Sequence, residues 1–80
     1  MPTFKPRSDR DTEPLGGTVY EWASFALERI RETLAAGAEP PTFNQQSPWH
    51  WIYLAGVIEH DQELHARVRI DIQDREVRWL

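Results

Sequence analysis

His50, His60 and His65 are the side chains best equipped for chemistry, and Glu59, Asp61 and Glu63 stand close to two of them. Imidazole nitrogens and carboxylate oxygens bind zinc, but a zinc site needs three or four of them converging. In a pair of strands His60 falls in the connecting turn, with His50 far back along the chain. His60 and Asp61 therefore read as solvated turn residues, and no metal or other cofactor is expected. Asp71 and Asp74 have the spacing of an acid–base pair. Asp71 is flanked by Arg69, however, and can face Arg78 across a turn, so an exposed cross-strand charge ladder explains it more simply. Ser24 and Ser47 have no base at a useful spacing. No enzymatic activity is expected.

A second constellation is built for binding. Trp49, Trp51 and Tyr53 alternate along one stretch, and Arg67 and Arg69 alternate along a later one. If both stretches are strands of one sheet, the three aromatics and two arginines share its open face. Trp, Tyr and Arg are enriched at binding hot spots because each buries a large area with few rotors and keeps a polar handle. These five residues are the candidate binding site, with Phe4 as a further anchor.

The elements that would position them follow from the chain's patterning. Eighty residues suffice for one domain, and a chain so short buries a marginal core. There is no cysteine, so disulfides cannot staple it; a partner chain would. Residues 1–17 read as a flexible arm: Pro2, Pro6 and Pro14 break regular pairing and Gly16-Gly17 closes the segment. Residues 18–80 form the domain. Thr18 and Glu21 match a helix capping box, and Val19, Trp22, Ala23, Ala26, Leu27, Ile30 and Leu34 share one stripe of a helix that stops at Gly37. Phe25 falls off that stripe. Residues 37–48 are a loop with Phe43 as its plug.

The next stretch carries two signals. Ser47-Pro48 is a good helix start, whereas the Trp, Ile, Tyr and Val of residues 50–59 favour a strand. The strand is the expectation. Leu64, Ala66, Val68, Ile70 and Ile72 alternate with polar residues as a second strand, and Glu76–Leu80 returns as a third after the turn at Gln73-Asp74-Arg75. The expected fold is α+β: one N-terminal amphipathic helix packed on a three-stranded antiparallel β-meander.

Residues 65–80, HARVRIDIQDREVRWL, resemble the strand–turn–strand of the excision-controlling-factor family of bacterial mobile elements. Arg69-Ile70-Asp71-Ile72 fills the first strand and Trp79 the last, while Arg75 stands where that family's turn has glycine. The likeness covers about a fifth of the chain, in a pattern common to β-hairpins. No function is carried over from it.

Thirteen acidic against nine basic residues give a net charge of -4, all of it on residues 18–80 because the arm's charges cancel. That balance opposes general nucleic-acid binding, which relies on neutralising phosphates. No apolar run approaches the length of a membrane span and MPTFKPRSDRD has no signal-peptide core, so a cytoplasmic protein is expected. The function these features favour is a non-catalytic protein-binding module: a small subunit, adaptor or inhibitor of a larger assembly, or a homodimer. Compact acidic domains of phage and mobile-element proteins that block host machinery offer an analogy. The alternative is a binder of single-stranded nucleic acid or a small ligand on the aromatic–arginine sheet face.

Overall fold

The computed structural model describes residues 13–80. Two α-helices, α1 (Val19–Ala35) and α2 (Pro48–His60), precede a two-stranded antiparallel sheet of β1 (Val68–Asp71) and β2 (Glu76–Trp79). The fold is α+β, but the first strand of the expected three-stranded meander is a helix.

The first helix starts where its capping signal lies. Thr18 is extended, and its Oγ1 accepts the Glu21 N–H at 3.1 Å. At the other end Gly37 takes a left-handed φ of 69°. This lets the Ala38 N–H reach the Thr33 carbonyl at 3.0 Å and the Gly37 N–H reach that of Leu34 at 3.2 Å. The two bonds are the Schellman closure, which favours glycine at the left-handed position.

The expected strand at residues 50–59 is corrected to helix α2, which runs from Pro48 to His60. Proline at the first turn lacks only an N–H that the helix would leave unpaired. Trp51, Leu54 and Ile58 then fall three and four positions apart on one side, and all three are buried. A strand would have sent Trp51 and Leu54 to opposite faces. Burying both beneath α1 outweighs the β-propensity of individual residues.

The expected second strand is also shortened. Leu64 and Ala66 precede β1 in a run of turns. Asp61 organises that run: its Oδ1 accepts the N–H groups of Glu63 at 2.9 Å and Leu64 at 3.0 Å, while its other oxygen pairs with Arg31 of α1. The hairpin that follows has Arg69 opposite Arg78 and Asp71 opposite Glu76. Arg78 answers with Asp71 at 2.9 Å and Asp74 at 3.3 Å, the charge ladder its sequence implied.

Trp22, Trp51, Ile30 and Leu54 are the largest fully buried side chains, joined by Ile58, Leu64, Val68 and Val77. Phe43 plugs the core, with its ring centroid 5.7 Å from that of Trp22 and 6.1 Å from that of Trp51. Phe25, off the helix stripe, is half-buried against Phe43. The expected arm extends to residue 17, yet Glu13 is already buried within the body. Its Oε2 accepts the Trp22 indole N–H at 2.8 Å and the Gln45 N–H at 2.9 Å, and its Oε1 accepts the Asn44 N–H at 2.7 Å. One side chain thus ties the entry segment, α1 and the loop before α2 together. Phe4 lies outside the described residues.

Candidate functional site

Helix α2 is apolar on two faces, and the fold covers one of them. Trp51, Leu54 and Ile58 point into the core. Trp49, Ile52, Tyr53, Gly56, Val57 and His60 follow the same three- and four-residue spacing on the outer side. Trp49 is 75 % exposed, Ile52 46 % and Tyr53 40 %. Tyr20 of α1, 64 % exposed, extends this face: its ring meets that of Tyr53 edge-on at 5.3 Å and 88°. Ile52, Tyr53, Gly56, Val57, His60 and Asp61 line a shallow groove of about 650 Å³ along it. A helix that is hydrophobic all round is ordinarily buried all round.

The candidate binding residues do not form the expected sheet face. Trp51 is fully buried, and its indole N–H donates to the Gln45 carbonyl at 2.8 Å. Trp49 and Tyr53 come together on the outer side of α2, four positions apart. Arg69 projects from β1 into a different groove, lined also by Glu59, His65 and Leu80, and Arg67 borders a third with Arg31 and Glu63. The aromatic and arginine sets are therefore separated, and the sheet face on which the nucleic-acid or small-ligand alternative depended is not built. Its physical cause is the helical state of residues 48–60, which turns every alternating residue of the imagined strand by about 200° instead of 360°.

Reading this stretch as a strand hid two residues of the outer face, Ile52 and Gly56. Their signal was the 49, 52, 53, 56, 57, 60 spacing behind Ser47-Pro48, which is helical throughout.

Gly56 is informative because nothing among the described residues requires it. A Cβ built there meets no atom within 4 Å, and its φ is an ordinary helical one. Glycine is the poorest helix former apart from proline. Its presence leaves a notch between Tyr53 and Val57 on the outer face.

The polar groups near α2 serve structure. His60 Nδ1 lies 2.8 Å from the Gly56 carbonyl, and His65 Nδ1 lies 2.9 Å from that of Asp61. His50 packs edge-on against Trp22 at 5.8 Å, and neither ring nitrogen has a hydrogen-bond partner among the described residues. The Leu64 N–H holds the Asp61 carboxyl below the usual carboxylate range; partial desolvation opposes it, while the Glu63 N–H, Arg31 and His65 assist. No group of three His, Asp or Glu side chains that could hold a metal ion occurs among the described residues. Nor is any helix among them long and apolar enough to cross a membrane.

No family model matches this chain, and no curated protein or solved structure does. The outer face of α2 therefore has to be interpreted from its own chemistry.

Proposed function

We propose that this chain is a non-catalytic protein-binding module that docks through the outer face of α2. The observation that carries the reading is the second apolar face of that helix: Trp49, Ile52 and Tyr53, widened by Tyr20, are exposed, and Ile52, Tyr53 and the half-buried Val57 line a groove. Contiguous apolar patches of this kind on small proteins mark association sites. Trp49 and Tyr53 are also the residue types that supply the most contact area per rotor fixed. The surface is broad and shallow, as protein partners require, and it does not enclose a small molecule. In this role the chain is a subunit, adaptor or inhibitor within a larger assembly.

The test is a single substitution on the outer face of α2. Ile52→Glu places a charge in the middle of the proposed contact and is expected to abolish co-purification with the partner while circular dichroism stays that of wild type. A folded Ile52→Glu chain that retains its partner contradicts the proposal.

A further inference from the structure

We infer that the outer face of α2 takes a second copy of this chain, with the two helices packed antiparallel about a two-fold axis. This rests on the docking reading above and names its occupant.

The face is self-complementary. A two-fold axis midway between positions 54 and 55 sets Ile52 opposite Val57 of the second copy and Tyr53 opposite its Gly56. The bulkiest central side chain thus enters the notch left by the residue with none, twice over. Close approach at Gly56 gives that glycine a purpose that nothing among the described residues of one chain supplies. Isologous contacts of this kind are the commonest solution among soluble oligomers.

Charge points the same way. Each copy carries a net charge of -4, so a two-fold contact through a charged patch would set like against like. Trp49, Ile52, Tyr53, Gly56, Val57 and Tyr20 carry no formal charge. Asp61, at the groove's end, is paired with Arg31, and Glu59 lines a different groove. A strongly basic or acidic partner would find no complementary charge here.

The area is sufficient for a weak dimer. Trp49, Tyr20 and Tyr53 expose 75, 64 and 40 % of their surfaces. With aromatic side chains of roughly 200 Å² each, and Ile52 and Val57 added, the face offers about 500 Å² per chain. Two copies bury at most about 1,000 Å², the lower bound for a specific interface and the size range of weak, transient contacts.

Sedimentation equilibrium on the full 80-residue chain tests this, over about 1 to 300 µM so that both sides of a micromolar Kd are sampled. Wild type is expected to pass from monomer to dimer in that range. Gly56→Leu fills the notch and is expected to raise Kd at least about tenfold, as is Ile52→Glu, which serves if Gly56→Leu does not fold. Gly56→Ala separates folding from association: it is expected to raise the Tm of the dilute monomer by a few degrees, through helix propensity, while weakening the dimer. Gln73→Ala, at the hairpin turn, is expected to change neither. A wild type that stays monomeric throughout overturns the second copy as occupant, as does a dimer indifferent to both Gly56→Leu and Ile52→Glu. Each of these failures leaves the docking reading to be judged separately, by contacts formed at Tyr53 with other proteins.

Discussion

Tyr20 and Tyr53 meet edge-on at 5.3 Å across the junction of α1 and α2, and both stay substantially exposed. A few residues away, Trp22 and Trp51 meet at 5.1 Å and are wholly buried. The same two helices therefore make two aromatic contacts, one sealed in the core and one left at the surface. Edge-to-face pairs gain only modestly beyond the area they bury, about 1 kcal/mol. Fold stability thus accounts for the inner pair and leaves much of the outer pair's surface unburied.

That division is measurable in α2 itself. Trp51→Ser is expected to cost about 4 kcal/mol in urea unfolding, enough to unfold much of a marginal domain. Trp49→Ser, two positions away, is expected to change stability by no more than about 0.5 kcal/mol. Similar costs for the two would show that Trp49 is packed within the chain.

Glu13 is expected to be a structural anchor despite its place outside the regular elements. Glu13→Ala removes the acceptor for the Trp22 indole and for the Asn44 and Gln45 N–H groups. Unfolding monitored by tryptophan emission is expected to show a loss of about 2 kcal/mol or more. A neutral outcome would mean that residues 13–17 do not hold the body together.

How much of this was legible in the sequence depends on how local each signal is. Helix α1 could be read because Thr18, the apolar stripe and Gly37 agree on one element, and the Asp71–Arg78 pairing could be read because a hairpin turn brings near neighbours together. Helix α2 was misread because it is apolar on both sides, which flattens the periodicity, so that β-branched and aromatic composition decided the matter wrongly. Ser47-Pro48 and the helical spacings, of Trp51, Leu54 and Ile58 on one side and of Trp49, Tyr53 and Val57 on the other, argued for the helix. The Glu13 contact spans 31 residues to Asn44, and no local pattern announces it. Of the candidate site, Trp49 and Tyr53 belong to the open face of α2, whereas Trp51 is core and Arg67 and Arg69 lie elsewhere.

Replacing the unpartnered imidazole of His50 is expected to stabilise the fold. His50→Phe keeps the edge-on contact with Trp22 and removes two polar atoms that have no hydrogen-bond partner among the described residues. A gain of about 1 kcal/mol in thermal or urea unfolding at neutral pH is expected. A loss of that size would show that the ring nitrogens are satisfied in solution.

Asp61 sets an acid limit. The N–H of Leu64, with that of Glu63 and the charge of Arg31, lowers its pKa in the folded state. The folded chain therefore holds its carboxylate more tightly than the unfolded chain does. The resulting stability is fully present above the unfolded value, near 4, and is lost as pH falls through the lower folded value. The stability gap between wild type and Asp61→Asn is expected to be constant from about pH 7 to 5 and to narrow below about pH 4. A gap that widens on acidification would contradict the lowered pKa.

The central claim is that the outer face of α2 docks a protein, and site-specific photo-cross-linking in the native cell tests it most directly. A photoreactive side chain is placed at Tyr53 in one chain and at Gln73, on the hairpin turn, in another. The expected result is a discrete protein adduct at position 53, a second copy of this chain or another protein, that is absent at position 73 and disappears when Ile52→Glu is added. No adduct at position 53, or equal adducts at both positions, would contradict the claim.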